Sequence, residues 1–333
     1  MLKLKLDLEG LCAELKKRGA KRVLLQLPEG LKTRSNEIAE GLERHGVEAV
    51  LFVEPSFGAC DIRENEAKDL ECDVVVHFGH NRFYAEKFPT VYWPLEYEFS
   101  EKKVSVESEK LARFLEKRGL KKIGLCSAVQ YAKALPMVEK ALAKHGVECF
   151  NAKGPRTQKG QVLGCNCSSV AFVEEKVQAN VFVGDGAFHP LMMVFASNRP
   201  VFGFSPADGK ITDYSAEKDR FLRKRFASIA RAQDAKIFGV LVSTKKGQNM
   251  IKVAEHAKKE IEKAGKKAII VASDLVREDY LAGLRLDALV DTACPRIALD
   301  DSHLFKRPIV TPLELEIVLG KKKFEDYLAK PYY

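Results

Sequence analysis

The chain has 333 residues, and its 55 Lys and Arg outnumber its 46 Asp and Glu, which gives a formal net charge of +9. Hydrophobic residues make up 46% and charged residues 30%, a balance that excludes disordered, collagen-like and coiled-coil chains. No apolar run approaches the roughly 18 residues of a membrane-spanning helix. The amino-terminal stretch 1–10 lacks the apolar block of a signal peptide. We therefore expect a globular, cytoplasmic protein with no membrane partner.

The positive charge is spread along the chain rather than gathered into one segment. Basic residues at 16–18, 258–259 and 321–323 stand on predicted helices that also carry Asp and Glu. A nucleic-acid footprint would be a basic stripe with interleaved aromatic residues, and the sequence contains none. We therefore expect a solvated basic surface and no direct binding of nucleic acid, although a protein partner with an acidic face remains open.

The predicted elements recur three times along the chain in the same order. Each copy has an apolar strand, a helix with apolar residues at helical spacing, a second strand and a third apolar run. The tetrapeptide at 45–48, which ends the helix of the first copy, recurs at 145–148 in the second. The elements lie at 21–26, 32–44, 47–53 and 74–78 in the first copy, at 121–126, 131–144, from 147 and at 181–183 in the second, and at 235–242, 249–263, 267–271 and 288–290 in the third.

This repeated order predicts an α/β fold of three pseudo-repeated small domains, each a parallel sheet flanked by helices. We expect the domains to span 1–104, 105–214 and 215–333, with right-handed crossovers between parallel strands. Ligands of such sheets collect beyond the carboxyl ends of the strands. The loops at these ends are therefore expected to converge on one central site.

The chain contains eight cysteines. Disulfides do not persist in the cytoplasm, so these thiols are not explained by disulfide bonds. Cys12 lies in a predicted helix, Cys126 and Cys149 lie in strands or at their ends, and Cys72 just precedes a strand. Free cysteine behaves as a small hydrophobic residue in such positions. We therefore predict that these four are core residues without a chemical role.

The other four cysteines lie on loops that follow predicted strands. Cys60 follows the second strand of the first copy, Cys165 and Cys167 occupy the corresponding loop of the second, and Cys294 follows the third strand of the third. The C-x-x-C pairs typical of structural zinc sites are absent. A [4Fe–4S] cluster is normally held by four thiolates, and one held by three would leave an iron open to a substrate. The spacing alone leaves this cluster and inert thiols as alternatives.

Three segments of the sequence resemble the diphthamide synthesis protein family in its archaeal homodimeric form. They are GACD at 58–61, GQVLGC at 160–165 and TACPRIALDD at 292–301, of which the last is the most specific. Supporting similarity lies in LPEG at 27–30 and VGDG at 183–186. The resemblance covers essentially the whole chain, so what it implies applies to all three predicted copies.

The resemblance implies the first step of diphthamide biosynthesis. In it a 3-amino-3-carboxypropyl group moves from S-adenosylmethionine (SAM) to C2 of a histidine ring in translation elongation factor 2. It also implies a [4Fe–4S] cluster held by Cys60, Cys165 and Cys294, a radical mechanism that releases methylthioadenosine, a homodimer and an electron donor. Cys167 departs from the family pattern, and Cys165 is preferred because it occupies the family's Leu-Gly-Cys position. Radical chemistry suits this target, since C2 of a neutral imidazole is a poor nucleophile.

The residues that hold SAM are predicted from their positions near strand ends. Arg296, two residues beyond Cys294, is suited to bind the SAM carboxylate. Asp300 and Asp301 are candidates to pair with Arg296 or to cap a helix. Further polar candidates, each with an alternative interpretation as a cap or turn residue, are Gln26, Gln130, Asp185, His189, Thr244 and Gln248.

Two other functions remain open at this point. A quinolinate-synthase-like dehydratase would also take one cluster cysteine from each of three related domains, but would need neither SAM nor a protein substrate. A non-enzymatic α/β module would bind RNA or a translation factor through its positive charge. A protein that takes up no iron-sulfur cluster would exclude both enzymes, and transfer to elongation factor 2 would distinguish between them.

Overall fold

The structure is a computed structural model that describes residues 4–325. It confirms the predicted α/β class, because three larger sheets alternate with helices along the chain. The strands of the repeated βαβ units pair in parallel, as the strand-helix-strand order predicts. Among the helices described between residues 4 and 325, none combines the length and the apolar composition needed to cross a membrane.

The first part of the chain forms a four-stranded parallel sheet and a small antiparallel pair. The antiparallel pair joins the first and the last strand of this part. The elements are β1 (Leu4–Lys5), α1 (Leu8–Lys17), β2 (Arg22–Gln26), α2 (Ser35–Glu43), β3 (Glu48–Phe52), α3 (Glu64–Asp69), β4 (Val74–Phe78), β5 (Thr90–Trp93) and β6 (Glu96–Tyr97). The strand order of the larger sheet is β3-β2-β4-β5.

The second part of the chain forms a five-stranded sheet. Its first two strands pair in parallel, and so do its first and third strands. The elements are α4 (Glu101–Glu116), β7 (Lys122–Ser127), α5 (Leu135–Ala143), β8 (Glu148–Phe150), α6 (Ser168–Ala171), β9 (Ala179–Val183), α7 (Phe188–Ala196), β10 (Val201–Phe204) and β11 (Ile211–Asp213). The strand order is β8-β7-β9-β10-β11.

The third part of the chain forms a second four-stranded parallel sheet. The elements are α8 (Glu217–Gln233), β12 (Ile237–Ser243), α9 (Ile251–Lys263), β13 (Lys267–Ser273), α10 (Glu278–Leu281), β14 (Ala288–Asp291), α11 (Pro295–Leu299), β15 (Ile309–Val310) and α12 (Pro312–Val318). The strand order is β13-β12-β14-β15. In each of the three larger sheets, the first strand in chain order therefore lies between the second and the third.

Two of the predicted helices begin differently from the sequence-based expectation. The regions predicted as single helices at 32–44 and 131–144 each start with a 3₁₀ turn, at Glu29–Arg34 and Val129–Ala134. The turns close through bonds between residues three apart, such as Leu31 N–H to the Pro28 carbonyl at 2.8 Å. Short 3₁₀ turns of this kind are common at helix amino termini. The spacing of apolar residues predicts the helix, but it does not predict the tighter 3₁₀ turn with which the helix begins.

The packing divides the described chain into two compact units. Unit 1 comprises residues up to Leu163, Ser168–Ala187 and Phe202–Thr212, and contains the first two of the three larger sheets. Unit 2 comprises Gly164–Cys167, Phe188–Val201 and the residues from Asp213 onward, so it contains the third sheet and α7. The boundaries at 104 and 214 remain a prediction, because this division groups residues by packing and not by repeat.

Unit 2 is organised around a buried ion pair. The side chains of Arg225 in α8 and Glu314 in α12 are 1% and 0% exposed, and two hydrogen bonds of 2.7 and 2.6 Å join them. Arg225 also donates to the carbonyls of Ala298 in α11 at 2.6 Å and Ile309 in β15 at 2.8 Å. One guanidinium group therefore connects four elements of the unit.

Removing one partner of this pair should strongly destabilise unit 2. Glu314→Ala leaves Arg225 charged and buried without its carboxylate, which typically costs about 3–5 kcal/mol. We expect urea unfolding of the variant to show this loss, whereas Arg223→Ala, at an exposed position of the same helix, should stay within about 0.5 kcal/mol of the parent. Equal losses in the two variants would contradict a central role for the pair.

Candidate metal centre

The loop that carries Cys60 joins β3 to α3 in unit 1 and is held from the centre of its sheet. Gln26, at the end of β2, is 1% exposed and uses both ends of its amide on this loop. Its Nε2 donates to the Asp61 carbonyl at 2.9 Å, and its Oε1 accepts from the Arg63 N–H at 3.0 Å. Gln26 therefore positions the loop, whereas the sequence suggested it as a SAM contact. Cys60 itself is half-buried.

Gly58 lies close to the side chains of both Cys60 and His80. Gly58 has a φ of +153°, and a Cβ placed on it would lie 3.7 Å from the Cys60 Sγ and 3.9 Å from the His80 Nε2. These two atoms therefore flank the same small volume. The other ring nitrogen of His80, Nδ1, lies 3.0 Å from Nε2 of His77 in β4. A thiol and an imidazole therefore both lie near one glycine of the Cys60 loop.

The loop that carries Cys165 and Cys167 leaves the end of the second sheet. The part of this loop that belongs to unit 1 lies alongside β7. The Ser127 N–H donates to the Gly160 carbonyl at 2.9 Å, and the Val162 N–H donates to the Ser127 carbonyl at 3.0 Å. Beyond it, Cys165 is half-buried and Cys167 is fully buried. The two cysteines of this loop therefore differ in exposure, and Cys165 is the more accessible one.

A buried carboxylate shapes the loop that carries Cys294 in unit 2. Asp291, the last residue of β14, accepts from the Ala293 N–H at 3.0 Å and the Ala298 N–H at 3.1 Å. Burial raises the pKa of Asp291 to about 7, and these donors oppose that rise. Thr292 adds a bond of 2.6 Å from its hydroxyl to the Leu241 carbonyl. Half-buried Cys294 therefore stands at the start of α11 on a fixed turn.

Asp291 is a residue that the sequence does not single out. The signal was an acidic residue at the end of an apolar strand, followed by Thr, Ala and Cys before the proline that opens α11. Acidic side chains in such positions bind nearby backbone N–H groups. The sequence points in this segment to Cys294 and Arg296.

Three residues bring the loops of Cys165 and Cys294 together within unit 2. The Arg296 guanidinium stacks on the Phe188 ring at 3.6 Å and donates to the Phe188 carbonyl at 3.2 Å. A Cβ placed on Gly164 would lie 2.5 Å from Phe188 Cε1 and 3.7 Å from Arg296 Cδ. Gly164 directly precedes Cys165, so Phe188 contacts both the Cys165 loop and the residue two positions beyond Cys294.

Arg296 is a partly buried cation with a carboxylate beside it. Asp300, one helical turn later, pairs with its Nε, which fulfils one of the two roles expected for that aspartate. Burial lowers the pKa of the Arg296 guanidinium, while Asp300 and the neighbouring Cys294 raise it. The helix α11 therefore presents a stacked, oriented guanidinium next to the candidate ligand.

The remaining polar candidates lie at strand ends and make local contacts. Gln130 donates from Nε2 to the Gly79 carbonyl at 3.2 Å. Exposed Asp185 accepts from the Tyr131 hydroxyl at 2.5 Å, and burial raises the pKa of that hydroxyl. The other three are His189, whose ring meets Phe188 edge-on at 5.0 Å, Thr244, whose hydroxyl lies 3.4 Å from Asp274 Oδ1, and half-exposed Gln248.

The structure separates the cysteines by exposure. Cys60, Cys165 and Cys294 are half-buried, whereas Cys12, Cys72, Cys126 and Cys167 are buried. Cys149 was expected in the core and is also half-buried; it packs against the core of its sheet, and burial raises its pKa to about 12. Its backbone lies in β8, on a regular strand and not on a loop.

Thiols are the donors that an iron-sulfur cluster takes. Across residues 4–325, no three His, Cys, Asp or Glu side chains are close enough together to hold one metal ion. A four-iron cluster is larger than an ion and spreads its thiolates farther apart. Cys60 in unit 1 and Cys165 and Cys294 in unit 2 each offer a half-buried thiol, the donor type that such a cluster takes.

The contact between Gly164 and Phe188 can be tested by paired substitutions. Gly164→Ala places a methyl group against the ring and should cost about 1–3 kcal/mol by overpacking. In a Phe188→Ala background that methyl has room, so the same substitution should cost almost nothing. Urea unfolding of the parent, both single variants and the double variant measures the difference. If the stability losses of the two single variants add up in the double variant, Gly164 and Phe188 are not in contact.

Comparison with known proteins identifies the family. The sequence model of the diphthamide synthesis protein family matches residues 27–328. The chain is 36% identical to 2-(3-amino-3-carboxypropyl)histidine synthase of Pyrococcus horikoshii over 96% of its length and 92% of the relative's. It is 30% identical to the protein of that name from Methanocaldococcus jannaschii over 92% of its length and 87% of the relative's.

A solved structure shows the same similarity in three dimensions. The crystal structure of Dph2 from Pyrococcus horikoshii with a 4Fe-4S cluster matches with a TM-score of 0.87 and 35% identity. The match covers 97% of this chain and 93% of that one. Sequence and fold thus agree over nearly the whole length, and the chain belongs to the diphthamide synthesis protein family.

Proposed function

We propose that this protein transfers the 3-amino-3-carboxypropyl group of SAM to C2 of a histidine in elongation factor 2, the first step of diphthamide biosynthesis. The observation that carries the proposal is the near full-length match to a Dph2 structure with a 4Fe-4S cluster. The half-buried loop cysteines of this chain support it. The family and the synthase name of its relatives make the chain an enzyme of the transferase class.

Cys60, Cys165 and Cys294 are the proposed ligands of a [4Fe–4S] cluster. They are half-buried and lie on loops that leave the carboxyl ends of parallel strands. When bound, the cluster would supply the electron that breaks the bond between the SAM sulfur and the methionine γ-carbon, which releases methylthioadenosine. Gln26 and Asp291 fix the Cys60 and Cys294 loops through backbone hydrogen bonds, so the chain sets the direction of these thiols before the group binds.

Arg296 is the proposed contact for the SAM carboxylate. Stacking on Phe188 fixes the plane of its guanidinium, and a planar guanidinium binds a carboxylate through paired N–H donors. Asp300 contacts the Nε edge, so we propose that the carboxylate binds through the Nη edge. The other proposed SAM contacts are Gln130, Asp185, His189, Thr244 and Gln248.

The proposed partners follow from the same reaction. The enzyme would bind elongation factor 2 as its protein substrate, receive electrons from a separate donor, act as a homodimer and work in the cytoplasm. The net charge of +9 is compatible with an acidic protein partner. SAM is then a co-substrate, consumed once for each modified histidine.

The cluster ligands can be tested by cysteine substitutions. Cys60→Ala, Cys165→Ala and Cys294→Ala should each lose or damage the cluster, because each removes a thiolate ligand. Cys149→Ala is the matched control, since that cysteine is half-buried but stands on a strand. Iron and sulfide content and the visible spectrum of anaerobically reconstituted protein measure the result. Bleaching by Cys167→Ala instead of Cys165→Ala would reassign the second ligand.

The same preparations test the reaction. Dithionite-reduced wild type with SAM and an archaeal elongation factor 2 should release methylthioadenosine and add the mass of the 3-amino-3-carboxypropyl group to the factor. Each of the three ligand variants should lack both products, whereas Cys149→Ala should form them. A cluster-loaded wild type that leaves an authentic archaeal factor unmodified would overturn the proposed transfer to elongation factor 2.

The carboxylate contact can be tested by Arg296→Lys, which keeps the charge but loses the planar pair of donors. Loss of one hydrogen bond to a charged group corresponds to about ten- to hundred-fold weaker SAM binding, measured by calorimetry on cluster-loaded protein. Arg277→Lys is a matched control, because Arg277 also pairs with an aspartate, Asp279, and lies over a ring, Tyr280. Unchanged SAM affinity in Arg296→Lys would remove Arg296 from the site.

A further inference from the structure

Helix α8 carries a run of positive charge that no acidic residue interrupts. From Arg220 to Gln233 it contains no Asp or Glu, and its two acidic residues, Glu217 and Asp219, lie in its first turn. The other long helices, α4 and α9, carry residues of both signs along their length. The charge of α8 is therefore an exception to the mixed charge of the long helices.

The basic residues of α8 lie on its solvent side, apart from one. Arg220, Arg223, Lys224 and Arg231 are exposed, and spacings of three, four and seven residues place them on one side of the helix. We call these four residues the α8 basic stripe. At 1.5 Å per residue the stripe is about 17 Å long. The opposite side of the helix is buried and includes Arg225.

Little of the charge of the stripe is neutralised within the protein. The side chains of Arg223 and Lys224 form no ion pair with any residue that the structure describes. Arg220 lies 3.8 Å from Glu217, but both side chains are exposed, so solvent screens their attraction. Arg231 donates to a backbone carbonyl at 3.0 Å, which is a neutral acceptor. The stripe therefore presents its positive charge to a partner in solution.

The buried side of the same helix is connected to the segment that carries Cys294. The Arg225 guanidinium donates to the Ala298 carbonyl at 2.6 Å. Ala298 belongs to α11, which begins directly after Cys294, so it lies about one helical turn from that cysteine. All of these residues belong to unit 2. The stripe is thus separated from the Cys294 segment by α8 itself and one arginine side chain.

This placement distinguishes between two kinds of acidic protein partner. Elongation factor 2 must bring a histidine ring to the reacting carbon, whereas an electron carrier needs only a short path through protein. Between a protein bound on the stripe and Cys294 lie α8 and the buried pair of Arg225 and Glu314. A side chain of that protein could not reach the thiol, so the placement favours an electron carrier.

The aromatic residues of α8 do not favour a nucleic acid on this face. Single-stranded nucleic acids are bound by basic residues together with aromatic rings on which the bases stack. Phe221 is buried, and the Phe226 ring meets the Phe324 ring edge-on at 5.0 Å. The stripe itself contains no aromatic residue. It therefore offers charge without a stacking platform, which suits an acidic protein surface better than RNA.

We propose that the α8 basic stripe is the docking site of the protein that reduces the cluster, a small redox protein with an acidic surface. The inference rests on the cluster assigned under the proposed function. One electron passes from the reduced carrier, which is oxidised, to the cluster, which is reduced, and no bond forms or breaks. Opposite charges speed this encounter, and its interface can be small, because redox complexes often bury less than about 1,200 Å².

Reversal of charge on α8 tests the docking site. The double variant Arg223→Glu/Lys224→Glu places two carboxylates where the acidic carrier would bind, at exposed positions of the stripe. Lys102→Glu/Lys103→Glu is the matched control, because it changes the net charge equally at two exposed lysines of α4 in unit 1. Wild type and both variants are used at full length, with the cluster reconstituted anaerobically and the iron content measured.

The probe is the fully reduced form of a flavodoxin, an acidic flavoprotein, mixed with oxidised enzyme at low salt in a stopped-flow spectrometer. Formation of the flavin semiquinone reports the transfer of one electron. We expect the second-order rate constant to fall about tenfold or more in the α8 variant and to stay within about twofold in the control. Added salt should slow the wild type and narrow the difference, because it screens the attraction. Dithionite, a small reductant that needs no docking site, should reduce all three proteins at similar rates.

Three results would overturn the docking site. The first is a loaded wild type that flavodoxin reduces no faster than the loaded α8 variant. The second is an equal loss in the control variant, which would reflect net charge alone. The third is a parallel loss of the rate with dithionite, because the substitutions would then act on the cluster itself.

Other partners and a failure of the proposed function give different results. If the α8 variant loses affinity for elongation factor 2 or for a fluorescent RNA oligonucleotide while its reduction by flavodoxin is unchanged, the stripe binds that partner and the inference is wrong. A wild type that takes up no cluster would overturn the ligand assignment, and with it this inference. That failure is distinguishable because neither flavodoxin nor dithionite would then have a cluster to reduce.

Discussion

The buried pair of Arg225 and Glu314 is the constraint on which unit 2 depends. A helix of five residues, such as α11, does not hold itself together, because so short a helix forms too few internal hydrogen bonds. Arg225 binds the carbonyl of Ala298 near its end, and Asp291 binds the N–H of the same residue. The position of Cys294 is therefore fixed by groups from α8 and β14.

In unit 1 a neutral side chain, the amide of Gln26, holds a loop in a similar way. Gln26 reaches from the centre of the sheet into the Cys60 loop and satisfies one backbone donor and one acceptor. Buried backbone groups must be paired, so a loop that leaves a sheet needs such a partner at its base. Parallel strands supply that partner because the end of one strand lies beside the start of the next strand's loop. The Cys60 loop is thus held in place by a side chain of the sheet and not by the loop's own residues.

The sequence predicted the kind and order of most elements, because apolar runs and helical spacing are local signals. It also placed all three candidate ligands on loops. It could not show which side chains meet across the chain: Arg225 and Glu314 are 89 residues apart, and Arg296 and Phe188 are 108. Phe188 and His80 therefore remained unassigned, and Gln26 was taken for a ligand contact. Burial of Cys167 beside half-buried Cys165 is likewise a product of packing.

Exposure alone does not distinguish a ligand cysteine from an inert one, as Cys149 shows. Burial raises its pKa, and the carboxylates of Glu139 and Glu148 add to that rise, so it stays a protonated thiol. Metal ligation requires a thiolate. Cys294, by contrast, interacts with the Arg296 guanidinium, a cation that favours a thiolate. Charge beside the thiol, and not exposure, therefore distinguishes Cys294 from Cys149.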